Sequence, residues 1–232
     1  MKTLPHRKGK TGLFDQWPDT YDKWFTTPIG ALVKRYEAEL LIDLLKPTQG
    51  EVILDAGCGT GVFTLDLLSL GTRIIGIDIS LPMLMRAREK ARTYHPHLSL
   101  ADISILPFRE NSFDKVVSVT ALEFIEDAKG AVKELFCVTK KGGSIVVATL
   151  NSLSPWAARR RVQAQKGHAI FQKAIFRSPD ELRSLFPLES VIKTAVHFQK
   201  DDDPDKAVAL ELEGQRRGLN TGAFVAVRWK KP

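Results

Sequence analysis

A chain of 232 residues, 44% of them hydrophobic and 26% charged, is long enough to bury the core of one globular domain. No run reaches the roughly 18 apolar residues of a membrane span. Its two cysteines, Cys58 and Cys137, are too few for a disulfide framework, so we expect a cytoplasmic protein. The five histidines form no metal-ligand pattern, so no metal is expected, and the net charge of +7 favours an anionic partner without identifying one.

The first fifty residues are predicted to form a flexible tail and an N-terminal arm. Residues 1–13 are basic and polar, which predicts a flexible tail. Residues 14–50 form an N-terminal arm that is rich in aromatic residues at first. Apolar residues at helical spacing then predict an amphipathic helix over residues 31–45, ended by Pro47.

Strands and helices alternate through residues 51–150. The apolar runs predict strands over 51–56, 73–78, 98–102, 113–120 and 144–150, with helices over 61–70, 80–92 and 127–139 and a turn at 140–143. This alternation predicts an α/β fold, a doubly wound and mostly parallel sheet with helices on both faces.

The last third of the chain breaks the alternation. We expect residues 151–187 to form a small lid, in which Ser154 caps a helix that starts at Pro155. Residues 188–232 contain two further strands, with a helix between them that Asp203 caps. All of residues 1–232 are expected to form a single domain, with residues 51–150 as the cofactor-binding core.

A glycine-rich turn follows the first strand, in the stretch "ILDAGCGTG". Gly57, Gly59 and Gly61 lie at alternate positions, and Asp55 precedes the first glycine by two residues. Such a turn lets backbone N–H groups and a helix N-terminus approach a ligand closely. The spacing is not the G-x-G-x-x-G of nicotinamide-binding proteins, which counts against an oxidoreductase. The alternative is that the glycines serve only a tight turn between strand and helix.

Two further acids end the next two strands. An acid at the end of the second strand, Asp78, binds ribose hydroxyls in adenosine-binding sheets of this kind. Asp102 ends the third strand and can accept a hydrogen bond from the adenine amine, while Ile103 and Met83 can flank the ring. Asp78 alone could cap a helix, but Ser80 is available for that role. Together with the glycines, these acids predict an adenosine cofactor at the carboxyl ends of the strands.

The stretches "ILDAGCGTGVFT", "GIDIS", "ADISILPFRENSFD" and "KKGGSIVVAT" resemble the class I S-adenosylmethionine-dependent methyltransferases. The resemblance covers roughly residues 50–150 and is strongest to the small-molecule group that includes the ubiquinone/menaquinone-biosynthesis methyltransferases. It implies a seven-stranded sheet with one reversed strand and S-adenosyl-L-methionine as the cofactor.

The resemblance also implies roles for individual residues. Asp55 would help to hold the amino-acid end of the cofactor through the glycine turn. Ile79 would flank the adenine with Met83, and Thr120 would lie beside the methionine portion. Cys58, within the turn, could be a nucleophile, although a small residue packed beneath the turn is the alternative that we favour.

Acceptor-side residues are predicted from their position. Glu123 follows the fourth strand and is a candidate general base, or else a loop carboxylate or an ion-pair partner. Tyr21, Trp24 and Phe25 could form a lid over cofactor and acceptor, or simply pack the arm. Arg159 and Arg160 begin a basic segment that either binds an anionic acceptor or is a solvated helix face. With Arg161 they span about 200° of a helix, so at most one or two can face a small pocket.

These observations predict an S-adenosylmethionine-dependent methyltransferase that acts on a small-molecule acceptor, with an anionic acceptor as one option. The main rival is an RNA or protein methyltransferase, which the positive charge supports. Against it, no RNA-binding domain is appended and no N-P-P-Y-type motif follows the fourth strand, so a nucleic-acid partner is not expected. A non-catalytic partner subunit that keeps the fold is a further alternative. The sequence leaves the oligomeric state open.

Overall fold

The structure, a computed structural model, describes residues 12–232, so residues 1–11 of the predicted tail lie outside the described residues. Its centre is one sheet of seven strands. They are β1 (Val52–Ala56), β2 (Arg73–Asp78), β3 (His97–Leu100), β4 (Phe113–Val119), β5 (Thr139–Leu150), β6 (Ser190–Ala195) and β7 (Phe224–Lys230).

The strands lie in the order β3-β2-β1-β4-β5-β7-β6. All neighbouring pairs are parallel except those of β7, which runs antiparallel to both β5 and β6. The predicted seven-stranded sheet with one reversed strand is therefore confirmed. Because β1, β2, β3 and β4 run the same way, their carboxyl ends meet at one edge of the sheet.

Helices cover both faces of this sheet. They are α1 (Pro18–Trp24), α2 (Pro28–Leu45), α3 (Val62–Ser69), α4 (Leu81–Lys90), α5 (Ala128–Val138), α6 (Pro155–Gln165), α7 (Ala169–Lys173), α8 (Pro179–Arg183) and α9 (Pro204–Arg216). The predicted caps are confirmed, because Ser80, Ser154 and Asp203 each accept a backbone N–H of the following helix.

The two faces bury separate apolar clusters. On one face, α2, α3 and α9 pack against the sheet, in a cluster that includes Leu41 of α2, Phe63 of α3 and Phe224 of β7. On the other face, α5 and α8 cover the sheet, with Leu135 and Trp229 fully buried. This arrangement confirms the doubly wound layers that the alternation predicts.

Two local predictions were incomplete or wrong. Helix α1 was not predicted, because its seven residues include no residue that is buried and therefore carry no apolar stripe. The turn predicted at residues 140–143 lies inside β5 as a bulge. The register jumps there from Phe113–Thr139 to Lys115–Ser144, and Gly142 adopts a left-handed φ of 75°. The extra residues fit because a bulge lets a strand continue past a local mismatch.

Within residues 12–232, no helix is both long and apolar enough to cross a membrane.

Candidate active site at the carboxyl edge of the sheet

A cavity of about 690 Å³ opens where the carboxyl ends of β1, β2 and β4 meet the helices α1, α2 and α6. Ten of the predicted cofactor residues line it: Asp55, Gly57, Cys58, Gly59, Asp78, Ile79, Met83, Asp102, Ile103 and Thr120. Gly61, which is also predicted, lies just behind as the N-cap of α3. All five predicted substrate residues line the same cavity: Tyr21, Trp24, Phe25, Arg159 and Arg160. One continuous space therefore adjoins both sets.

The glycines of the turn differ in what surrounds them. Gly57 adopts a φ of 82°, and a Cβ there would lie 2.5 Å from the Cβ of Ala121. Gly59 differs, because its φ is 54° but an added Cβ would meet nothing within 4 Å. Both residues need the left-handed region that glycine tolerates. At Gly59 a side chain would project into the cavity and fill space next to the turn.

The N–H groups of this turn are bonded within the protein, which was not predicted. Gly57 and Cys58 donate to the carbonyl of Ile77, at 2.8 and 2.9 Å. The N–H of Gly59 donates to the Asp78 carboxylate at 2.8 Å. Dinucleotide sites instead offer such groups to a pyrophosphate. The turn therefore suits a cofactor that has no phosphate at this position.

Asp78 and Asp55 are buried at the ends of neighbouring strands. Asp78 Oδ1 accepts the N–H of Ser80 at 2.9 Å, and its Oδ2 accepts that of Gly59. Burial raises the pKa of Asp78 despite these bonds. Asp55 accepts a 2.5 Å hydrogen bond from the Thr64 hydroxyl, and burial raises its pKa to about 6. Each Asp78 oxygen keeps a second lone pair, which leaves it able to accept from a ribose hydroxyl.

The residues predicted to hold an adenine line the cavity beside β2 and after β3. Met83 and Ile103 are buried, whereas Ile79 is 63% exposed. Only Oδ1 of Asp102 is used among the described residues, where it accepts the N–H of Ser104 at 2.8 Å. An apolar slot with an adjoining carboxylate oxygen fits a flat ring with an exocyclic amine.

Thr120 carries unusual backbone geometry at the end of β4. Its φ of 47° is left-handed, although it is a β-branched residue. The bond from its N–H to the carbonyl of Ala148, at 2.8 Å, helps to hold this conformation. Strain of this kind is commonly stored at ligand-binding sites, and Thr120 lines the cavity where the glycine turn faces it.

Helix α1 lines the cavity and is hydrogen-bonded to the glycine turn and to α4. Its Asp22 accepts hydrogen bonds from the Thr60 hydroxyl at 2.6 Å, from Arg86 at 2.9 Å and from Lys90 at 2.7 Å. Ahead of α1, Asp15 accepts a 2.8 Å bond from the Ser80 hydroxyl. The arm therefore contacts both the glycine turn and α4.

The aromatic residues of the arm face the lid. Trp24 packs edge-on against Trp156 of α6, with ring centroids 6.1 Å apart. Tyr21 is half-buried and packs against Phe25 at 5.2 Å, and loss of water around its hydroxyl raises its pKa. The aromatic residues of the arm therefore both pack against neighbouring rings and line the cavity, a placement that is compatible with the predicted lid and with the packed-arm alternative.

The three arginines of α6 have different surroundings. Arg159 is exposed and pairs with Asp201. Arg161 is exposed and donates to the carbonyl of Ser152 at 3.3 Å. Arg160 is half-buried, with its guanidinium over the Trp156 ring at 5.2 Å. Its Nη1 is buried without a partner among the described residues.

Glu123 lies behind the cavity wall rather than in it. It belongs to a 3-10 helix, Leu122–Phe124, and is fully buried. Its Oε1 accepts the N–H of Leu150 at 2.7 Å, and burial raises its pKa to about 7. Since it does not line the cavity, its placement favours the loop-carboxylate alternative over a general base.

One residue of the cavity was missed by sequence reasoning. Glu37 of α2 lines the cavity and is only 7% exposed. Burial raises its pKa to about 8, because the attraction of Arg160 only partly offsets the loss of water. A signal was present, since Glu37 occupies the stripe between Val33 and Leu41 that is otherwise apolar.

The fold and this site agree with the predicted class of protein. The strand order is that of the methyltransferase fold, and the glycine turn and the acids that end β1 and β2 line the cavity as the resemblance to class I S-adenosylmethionine-dependent methyltransferases implies. Residues 54–147 match the model of a family described as a methyltransferase domain. This match supports the predicted class and, with it, S-adenosyl-L-methionine as the cofactor.

Named relatives share part of the chain. A malonyl-acyl-carrier-protein O-methyltransferase of Salmonella typhimurium is 34% identical over 52% of this chain and 47% of its own. The corresponding enzyme of Erwinia pyrifoliae is 37% identical over 52% of this chain and 45% of its own. The chain therefore spans about half the length of these curated relatives. An uncharacterized protein of Methanocaldococcus jannaschii is 28% identical over 94% of this chain and 98% of its own.

Solved structures share the whole fold. An S-adenosylmethionine-dependent methyltransferase of Thermotoga maritima, described as a possible histamine N-methyltransferase, superposes with a TM-score of 0.70. It is 23% identical, and the match covers 95% of this chain and 99% of that one. A chain from the Haloferax volcanii complex that contains the Trm112 methyltransferase activator has a TM-score of 0.69 at 22% identity, covering 97% and 100%. At these identities the likeness concerns the fold alone.

Proposed function

We propose that this chain transfers the methyl group of S-adenosylmethionine to a small-molecule acceptor in the cytoplasm. The supporting observation is the continuous cavity of about 690 Å³ that joins the proposed cofactor residues to α1, α2 and α6. Volumes of roughly 300–1,000 Å³ are typical of small-molecule sites. The cytoplasmic location is supported by Cys58 and Cys137, which are free thiols.

The proposed cofactor residues would hold S-adenosylmethionine and orient it. Asp78 would bind the ribose hydroxyls and Asp102 the adenine amine, while the glycine turn and Thr120 flank the methionine portion. When bound, S-adenosylmethionine supplies a methyl group on a positively charged sulfur, which is already electrophilic. The protein then needs mainly to align the acceptor, and alignment alone can contribute roughly 7–11 kcal/mol.

The acceptor residues enclose the other end of the cavity. The rings of Trp24, Phe25 and Trp156 would exclude water and pack an apolar part of the acceptor. Arg160 would hold an anionic group, since it lines the cavity, its guanidinium donates no hydrogen bond within the described chain, and a guanidinium binds a carboxylate or phosphate in bidentate fashion. We therefore propose an anionic group on the acceptor.

A second candidate is a carboxylate carried by a protein. The relatives of Salmonella typhimurium and Erwinia pyrifoliae are named for a malonyl group on acyl-carrier protein. A carboxylate is already a nucleophile near neutral pH, so its methylation would need no general base. This fits a cavity whose wall does not include Glu123.

One experiment separates these acceptors. Cell extract is divided into small-molecule, protein and RNA fractions, and each is incubated with the protein and methyl-labelled S-adenosylmethionine. We expect labelled products in the small-molecule fraction, to be identified by mass. Label in protein alone would favour the carrier-bound carboxylate, and label in RNA would overturn both candidates. Binding of the cofactor without label in any fraction would favour a non-catalytic subunit.

A further inference from the structure

The carboxylate of Glu37 is the feature of the cavity that the proposed reaction leaves unused. Glu37 lies in the middle of α2 and faces the cavity while 7% exposed. Within residues 12–232 no group donates a hydrogen bond to it, and Arg160 and Glu123 act on its pKa only from longer range. A buried carboxylate without a partner costs several kcal/mol. A positively charged or N–H-donating ligand would offset that cost.

Arg160 is the matching feature of opposite charge. It lines the same cavity from α6, and burial lowers its pKa to about 10. Its guanidinium packs on the rings of Trp156, at 5.2 Å, and Phe171, at 5.9 Å. Glu37 exerts the largest attraction on Arg160, yet no ion pair within 4.0 Å joins the two side chains.

The unpartnered Glu37 carboxylate and Arg160 guanidinium restrict the kind of ligand that fits the cavity. A purely anionic acceptor would satisfy Arg160 and leave Glu37 unpartnered beside added negative charge. A purely cationic acceptor would do the reverse. We propose that the acceptor is a dipolar small molecule, whose cationic or N–H-donating group binds Glu37 and whose anionic group binds Arg160. This rests on the proposed function and extends it, because Glu37 becomes a specificity-determining residue of the acceptor site.

Ligand binding should then depend on pH in a defined direction. Burial raises the pKa of Glu37 to about 8, so a cationic group that binds there stabilises the ionised form. The charged or titratable groups around Glu37 are Arg160 of α6, Glu123 of the 3-10 helix and Tyr21 of α1. Affinity for a dipolar ligand should rise between about pH 6 and pH 8 as Glu37 ionises.

Matched probes test the proposal without knowledge of the natural acceptor. Phenylalanine carries both charges, phenethylamine lacks the carboxylate, and 3-phenylpropanoate lacks the amine. Tryptophan, tryptamine and indole-3-propanoate repeat the comparison on a larger ring. Each probe is titrated into protein saturated with S-adenosylhomocysteine, and binding is followed by calorimetry.

Two substitutions assign the charges. On at least one scaffold we expect the dipolar probe to bind about tenfold tighter than either truncated analogue, the scale of one charged hydrogen bond. Glu37→Gln should abolish the advantage over the carboxylate-only probe, and Arg160→Gln the advantage over the amine-only probe. The controls are Glu39→Gln, an exposed acid of α2 that pairs with Arg35, and Arg161→Gln. Both controls should retain the preference.

Several results would overturn the proposal. One is failure of both dipolar probes to bind more tightly than their analogues, absence of binding included. Another is a preference that Glu37→Gln leaves intact. A tenfold loss of S-adenosylhomocysteine affinity in either variant would move the pair to the cofactor's own amino-acid end, which also contradicts it. Failure of the unmodified protein to bind S-adenosylhomocysteine would instead overturn the proposed function itself.

Discussion

The two ends of the cavity differ in how their polar groups are satisfied. At the cofactor end, the carboxylates of Asp55, Asp78 and Asp102 each accept hydrogen bonds from neighbouring hydroxyl or backbone groups. At the acceptor end, Glu37 and the Nη1 of Arg160 have no such partner among residues 12–232. The polar groups of the cofactor end are therefore already held by bonds within the protein, whereas those of the acceptor end are left for a ligand or water to satisfy.

This difference separates what the class shares from what this chain selects. A pre-organised cofactor end suits one molecule that every member of the class uses. Unsatisfied groups at the acceptor end discriminate strongly between ligands. A molecule that leaves these groups unpaired binds weakly, because their desolvation is then not compensated by hydrogen bonds. Substitutions at the two ends of the cavity test this difference.

The largest effect is expected at the cofactor end. Asp78→Asn should lower the affinity for S-adenosylhomocysteine by at least about tenfold, since bonds to a charged acceptor contribute roughly 1.5–3 kcal/mol each. The substitution also weakens the contact to the Gly59 N–H that holds the turn. Calorimetry measures the loss. The matched control is Asp114→Asn, whose carboxylate also accepts a backbone N–H, that of Val52, away from the cavity. Equal affinities in both variants would remove Asp78 from the cofactor site.

The next effect is expected at the acceptor end. Once an acceptor is known, Arg160→Gln should lower kcat/KM for it by about tenfold, because Arg160 lines the cavity and its guanidinium has no hydrogen-bond partner in the described chain. Arg159→Gln should cost less, since Arg159 is exposed and paired with Asp201. Arg161→Gln should cost least. Steady-state kinetics with the cofactor at saturation provides the ranking. Three equal losses would mean that the basic segment acts only through its overall charge.

The cofactor end was predictable because it follows from backbone spacing. Glycines at alternate positions, Asp78 at the end of β2 and Asp102 after β3 are fixed by the strand ends that they follow. Parallel strands bring such ends to one edge whatever the rest of the chain does. The structure accordingly places these residues around one cavity.

The acceptor end was less predictable because it depends on side-chain direction. Glu37, Arg160 and Trp156 come from helices far apart in sequence, and no spacing rule joins them. Helix geometry indicated that Arg159, Arg160 and Arg161 could not all face inward, but not which one does. For Glu123, the position after β4 suggested a side chain that faces the cavity. Its carboxylate instead accepts the N–H of Leu150.

A smaller effect concerns stability. The pKa of Glu37 rises from 4.5 to about 8 on folding, so between these values the unfolded chain binds fewer protons and stability falls as pH rises. Glu37→Gln should remove part of this fall, by at least about 1 kcal/mol at about 1.4 kcal/mol per pKa unit. Urea unfolding near pH 5 and near pH 8 measures it, with Glu39→Gln as control. Some slope should remain, because burial also raises the pKa of Glu123 and Asp55. An unchanged slope in Glu37→Gln would show that Glu37 is not buried as described.

The smallest effect is expected where the arm joins the two ends. Burial opposes ionisation of Asp22, but hydrogen bonds from Lys90, Thr60 and Arg86 outweigh it and lower its pKa. Asp22→Asn should therefore loosen α1 by about 1 kcal/mol or less, because the pairs are partly exposed.

Amide exchange over residues 18–24 measures this loosening. We expect exchange to quicken by up to about fivefold in Asp22→Asn, while Glu89→Gln, which removes only an exposed partner of Arg86, leaves it unchanged. S-adenosylhomocysteine should slow exchange in the unmodified protein if the arm closes over the cofactor, and should slow it less in Asp22→Asn. Protection that the ligand does not alter in either protein would show that the arm only packs against the core, and that the two ends of the cavity are not linked through α1.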